Sequence, residues 1–140
     1  MICIIRIKGQ VGVKRDIVET LSRLRLRRKY ACAVIRDTKE NLGMIKKVKD
    51  FVAFGEIDEK TFEKLIEKRG RPTEKTKKID AKKIVEEIGK GKSYKELDLK
   101  PFFRLHPPRG GIESKKHFGV GKGVLGNNKE KINDLIERML

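Results

Sequence analysis

Tyr30-Ala31-Cys32-Ala33-Val34-Ile35-Arg36, followed at once by Asp37-Thr38-Lys39-Glu40, is the stretch whose reading decides the fold. The first run is small, β-branched and apolar, and predicts a buried strand. The four residues after it form a helix start. Asp37 or Thr38 can cap, and Glu40 stands three positions beyond Asp37, as in a capping box. Leu42, Ile45 and Val48 then recur at helical spacing, with Lys46, Lys47 and Lys49 on other faces. Gly43 inside that helix costs about 1 kcal/mol relative to Ala, which predicts close packing or close approach of a ligand there. Phe51 to Ile57 predicts the next strand.

The same alternation extends upstream. Ile2 to Lys8 predicts a buried central strand, which Gly9 and Gly12 interrupt. Ile17, Leu21 and Leu24 form the apolar stripe of an amphipathic helix. Arg23, Arg25, Arg27, Arg28 and Lys29 close it, where positive charge complements the helix dipole. The element order is therefore β-α-β-α-β, complete by about residue 57.

Beyond that point the texture changes. Asp58 is expected to cap a helix carrying Phe62, Leu65 and Ile66, and residues 68–78 read as a solvated basic loop containing Pro72. Asp80 starts a short helix through Ile84, Val85 and Ile88, ended by Gly89 and Gly91. Leu97 and Leu99 anchor a polar link. Residues 104–126 hold Arg104, Arg109, Lys115, Lys116 and Lys122 against a single acid, Glu113. Asn127 or Asn128 caps a terminal helix with Ile132, Leu135, Ile136 and Met139 inward.

Charge narrows the function classes. Lys plus Arg total 36 against 20 Asp plus Glu, a formal net charge of +16 in 140 residues. Such an excess repels itself until a polyanion neutralises it, so a nucleic-acid partner is expected. Aromatics are only 6% of the chain and Trp is absent. Phosphate contact should therefore dominate over base stacking. Cys3 and Cys32 lie in strand-like runs and are expected to be reduced core thiols. His106 and His117 are far from both in sequence, and no C-x-x-C occurs, so no metal or other cofactor is expected. No apolar run approaches the roughly 18 residues of a membrane span, and Met1 to Ile5 is too short for a signal-peptide core. A cytoplasmic location is expected.

Two glycine-rich runs require separate readings. Gly121-Lys122-Gly123-Val124-Leu125-Gly126 satisfies G-x-G-x-x-G, but no clear strand precedes it. The chain also ends 14 residues after Gly126, short of the acidic residue a dinucleotide site needs. What survives is a phosphate contact from free backbone N–H groups ahead of a helix. Arg104-Leu105-His106-Pro107-Pro108-Arg109-Gly110-Gly111 is the stronger signal. Its prolines stiffen the backbone, its glycines let it turn close to a partner, and its arginines offer planar forks for phosphate. No nucleophile–base arrangement suggests catalysis, and no small-molecule substrate is expected. The expected RNA contacts are Gln10, Lys14, Arg25, Arg28, Lys46, Lys49, Arg104, Arg109, Lys115, Lys116, His117 and Lys122. Two other readings compete: a free RNA-binding regulator or chaperone, and a nucleotide-binding enzyme using the glycine-rich run.

Val34-Ile35-Arg36-Asp37-Thr38 with Gly43-Met44-Ile45-Lys46-Lys47-Val48-Lys49 resembles the hallmark of the universal large-subunit ribosomal protein called L-thirty in bacteria and L-seven in eukaryotes. Leu24-Arg25-Leu26-Arg27-Arg28 resembles that family's first-helix ending, and Gly12 its loop after the first strand. Arg104 to Gly111, His117-Phe118, Gly126-Asn127 and Ile132-Asn133-Asp134-Leu135-Ile136 are similar to the extension of archaeal and eukaryotic members. Lys39 and Leu42 depart from the bacterial pattern, which has Pro and Arg there. The chain opens directly on the first strand, as fits an archaeal form. The resemblance implies an α+β fold, with a three-stranded sheet and two helices on one face, ferredoxin-like in style. It implies a 1–57 RNA-binding core with a 58–140 extension of short helices, basic Gly/Pro loop and terminal helix. It further implies a structural, non-enzymatic role, ribosome-bound, with large-subunit ribosomal RNA and neighbouring ribosomal proteins as partners.

Overall fold

The structure, a computed structural model, describes residues 1–9, 11–72, 80–97, 99–119 and 123–140, with residues 113–115 described by their backbone. The elements are β1 (Ile2–Arg6), α1 (Arg15–Arg23), β2 (Ala31–Ile35), α2 (Lys39–Val48), β3 (Val52–Glu56), α3 (Glu59–Arg69), α4 (Ala81–Gly89), β4 (Phe103–Arg104), β5 (Glu113–His117) and β6 (Gly123–Asn127). A 3-10 turn (Lys129–Lys131) then leads into α5 (Ile132–Met139).

The β-α-β-α-β order stands. β1 lies between β2 and β3 and is antiparallel to both, with Ile4 opposite Ala33 on one side and Phe54 on the other. The sheet has six strands rather than three, in the order β4-β2-β1-β3-β6-β5. The additional strands come from residues 103–127, where the sequence predicted a basic loop. None of them carries a usable period. β4 has two residues, β5 (Glu-Ser-Lys-Lys-His) is a polar edge of the kind that lysine protects, and β6 contains two glycines. β6 joins β3 in parallel, with Ala53 opposite Gly126 and Phe54 opposite Asn127.

Both faces of the sheet are covered, which is why β1 reads as an unbroken apolar run. Ile2 and Ile4 pack with Leu21, Leu24, Ile45 and Val48, so α1 and α2 share one face as expected. Cys3, Ile5 and Ile7 face the opposite core, built on Phe62, Leu65, Ile66, Ile88 and the α5 residues Ile132, Leu135 and Ile136. The two cysteine sulfurs meet there at 3.1 Å, fully buried. Desolvation raises the Cys3 pKa well above the ordinary thiol value, helped by its hydrogen bond to Cys32.

Local capping decides between the alternatives the sequence leaves open. Of Asp37 and Thr38, Thr38 caps α2, its hydroxyl accepting from the Asn41 N–H at 3.2 Å. Asp80 caps α4 through the Lys83 N–H. Asn128 turns its side chain inward and donates to the carbonyls of Val124 at 2.7 Å and Gly126 at 3.1 Å. Gly43 corrects an expectation. It is exposed, and a Cβ there would meet nothing within 4 Å, so no packing in the chain explains it. Tight glycines lie elsewhere: a Cβ at Gly55 would come within 2.2 Å of the Lys129 carbonyl and 3.0 Å of Ile132, and Gly70 and Gly123 stand as close to backbone carbonyls of Ile66 and His117. Residues 123–126 of the G-x-G-x-x-G run lie in β6, inside the sheet, and a strand (β5) does precede them. They therefore do not open a helix.

Candidate nucleic-acid interface

The residues after α1 alternate: Leu24 and Leu26 are buried, while Arg25, Arg27, Arg28 and Lys29 are exposed. Each leucine anchors the turn, so the cations between them must face outward. The segment is held in an unusual shape. Arg25 and Tyr30, at its two ends, both have φ of 65°, the left-handed region that L side chains seldom adopt. The Leu26 N–H donates to the Leu21 carbonyl at 2.8 Å and the Tyr30 N–H to the Arg6 carbonyl at 2.7 Å.

Arg6 fixes this turn from below. Its side chain is 1% exposed. Its guanidinium donates to the carbonyls of Leu26 at 2.8 Å and Lys8 at 3.0 Å. Burial lowers its pKa from the usual guanidinium value, although such a group stays protonated at neutral pH.

β4 pairs Arg104 with Ala31 and so brings the extension against this turn. Between them lies a groove of about 830 Å³. Arg25, Arg27, Arg28, Lys29, Lys95 and Arg104 line it, and no Asp or Glu does among the described residues. Its apolar surface comes from Tyr30, Tyr94, Leu99, Pro101, Phe102 and Leu105. Lys29 Nζ stands 5.1 Å from the centre of the Tyr30 ring, and the Arg104 guanidinium 6.0 Å from that of Phe102. Tyr94 is pinned by donating to the Val34 carbonyl at 2.7 Å, with its ring edge-on to Phe103. Burial raises the Tyr94 pKa.

The structure gathers the sequence-predicted residues into more than one place. Arg25, Arg28 and Arg104 meet in the groove. Lys46 and Lys49 are exposed at the end of α2. Beside them the Asp50 carboxylate lies 3.4 Å from His117 Nε2, which ties the β5 edge to that helix end. Arg109 is exposed on a turn clamped by Arg138. The Arg138 Nε donates to the Arg109 carbonyl at 2.8 Å, and a second guanidinium nitrogen donates to the Gly111 carbonyl. Arg109 borders a second hollow with Phe118 and Lys131. Lys14 is exposed at the start of α1, and Lys116 is exposed on β5. Gln10, Lys122 and the side chain of Lys115 lie outside the described residues.

Arg104 and His117 are therefore at opposite edges of the six-stranded sheet, five strand spacings or roughly 24 Å apart. The described parts of the basic segment 104–126 therefore lie at both edges of the sheet instead of forming one loop. Sequence reasoning missed Tyr30, Tyr94, Lys95 and Phe102 as surface-shaping residues. The doublet Phe102-Phe103 was the available signal, since two adjacent aromatics flanked by polar chain cannot both enter one core. Among the described residues, no helix is long and apolar enough to cross a membrane.

Comparison with known proteins identifies the family. Residues 2–52 match the family described as Ribosomal protein L30p/L7e. The large ribosomal subunit protein uL30 of Methanococcus maripaludis is 42% identical over 98% of this chain and 97% of its own length. That of Nanoarchaeum equitans is 45% identical over 98% and 97%, and that of Archaeoglobus fulgidus 44% over 99% of each. The family match covers β1 to the start of β3, and the relatives carry the similarity through the extension. The chain belongs to the Ribosomal protein L30p/L7e family, a family of ribosomal proteins and not of enzymes.

Proposed function

We propose that this chain is a structural constituent of the large ribosomal subunit, bound to the ribosome in the cytoplasm. It binds large-subunit ribosomal RNA and abuts neighbouring ribosomal proteins. Residues 1–57 serve as the RNA-binding core, and residues 58–140 extend the surface. The observation that carries this reading is the groove with six cations and, among the described residues, no carboxylate on its lining. It stands on a chain of net charge +16 whose relatives are named as large-subunit proteins. Neutralising phosphates with Lys and Arg releases counterions, so binding should weaken steeply with salt. The contacts are Gln10, Lys14, Arg25, Arg28, Lys46, Lys49, Arg104, Arg109, Lys115, Lys116, His117 and Lys122.

The test begins with sedimentation of the tagged protein from its own cell lysate, before and after a high-salt wash. Cosedimentation with large subunits through moderate salt is the expected result. A protein found mainly at the top of the gradient would overturn the proposal in favour of an extra-ribosomal regulator. In a second measurement, replacing Arg104 and Arg109 together by Ala should leave thermal unfolding nearly unchanged. The slope of log K against log salt for ribosomal RNA should fall by about 1.5.

A further inference from the structure

We infer that the groove between the 25–30 turn and β4 receives an unpaired RNA base, stacked on the Arg104–Phe102 pair, with its flanking phosphates on the arginine rim. This rests on the ribosomal RNA reading above and names the element of RNA that this surface takes. Duplex phosphates alone do not account for the site. A phosphate ridge would meet the rim cations but leave the apolar floor of Tyr30, Pro101 and Phe102 facing water. A base extruded from a loop or bulge offers a π face to that floor and a phosphate on each side to the rim. Both are the chemistry by which single-stranded RNA is held.

Three independent observations converge here. Both tyrosines of the chain line the groove, although aromatics are scarce overall. The Arg104 guanidinium lies over the Phe102 ring, so the stack has a cationic end that a base can continue. The non-glycine residues with positive φ are Arg25, Tyr30 and Lys129 among the described residues, and the first two bound the segment that walls this groove. Left-handed backbone at non-glycine residues is costly and collects at binding sites. The buried Arg6 guanidinium, donating to the Leu26 carbonyl, holds that wall in place before any ligand arrives. The volume, about 830 Å³, is within the range of pockets that enclose a small organic ligand. An apolar peptide from another protein would fit the floor but gain nothing from six cations unless it were strongly acidic.

The experiment is chemical footprinting of protein-free large-subunit ribosomal RNA with the full-length wild type, Phe102→Leu and Phe102→Tyr. Phe102→Leu keeps apolar volume and every charge while removing the ring. The wild type should protect at least one unpaired base. Phe102→Leu should lose that protection, bind about 5- to 100-fold more weakly, and keep an unchanged salt slope and the rest of the footprint. Phe102→Tyr should restore it. Equal affinity and footprint for Phe102→Leu and wild type would overturn the base-binding inference and leave the ribosomal RNA reading standing. No wild-type footprint at all would overturn both.

Discussion

The side-chain carbonyl of Asn133 accepts the backbone N–H of Asp58 at 2.9 Å, across 75 residues of chain. Its amide nitrogen donates to the carbonyls of Glu130 at 2.8 Å and Glu56 at 3.3 Å. One buried amide thus ties the end of β3, the start of α3 and the first turn of α5. Asp58 makes no side-chain capping bond of its own. Asn133 satisfies the N–H at that corner instead, and this locks the extension onto the core.

Asn133→Ala is expected to destabilise the protein by about 2 kcal/mol, because it leaves partly buried donors and acceptors unpaired. Denaturant unfolding measures this. A change below a few tenths of a kcal/mol would show that water replaces the amide without loss.

Gly55→Ala should cost a similar or larger amount, about 2 kcal/mol or more, because the clash is with the Lys129 backbone carbonyl and not with a movable side chain. Hydrogen exchange should locate the damage at residues 128–136 and spare α1 and α2. Uniform loss of protection would contradict a local joint.

Gly43→Ala is predicted to act in the other direction. The position is exposed and helical, and its Cβ would touch nothing. Free-protein stability should rise by about 1 kcal/mol. Affinity for ribosomal RNA should fall, since a bare backbone there has no purpose within the chain. Higher stability with unchanged affinity would remove Gly43 from the interface.

Stability should also decline in alkali through Cys3. The folded chain holds this thiol proton more tightly than the unfolded chain does, because burial disfavours the thiolate. That contribution is fully present below the ordinary thiol pKa, about 8.5, and is lost as the pH rises from there toward the raised folded value. Unfolding free energy measured from pH 7 to 10 should fall more steeply in wild type than in Cys3→Ala. Parallel curves would refute the assignment.

Much of the α+β core was legible because its signals are local. The caps before α2 and α4, the stripes at Ile45 and Val48 or Leu21 and Leu24, and the β-branched run of β1 each repeat within one or two turns. The extension was less legible. β4, β5 and β6 are strands because partners already exist for them at the sheet edges, and nothing in Glu113–His117 announces a strand. The candidate site divides in the same way. Cations at Arg25, Arg28 and Arg104 stand out by composition, whereas the groove that unites them needs Tyr94, Lys95 and Phe102 from another part of the chain.

Composition and periodicity alone therefore determined a basic chain and the β-α-β-α-β order of its elements, because charge and local hydrophobic spacing act over a few residues. Tertiary packing decided the six-strand order and the separation of Arg104 from His117 by the width of the sheet. It also decided the meeting of Arg25 with Arg104 over an aromatic floor. Those outcomes depend on contacts between residues far apart in sequence, such as Asn133 with Asp58 and Arg6 with Leu26. Their energies exist only once the strands are in register, so no local pattern encodes them.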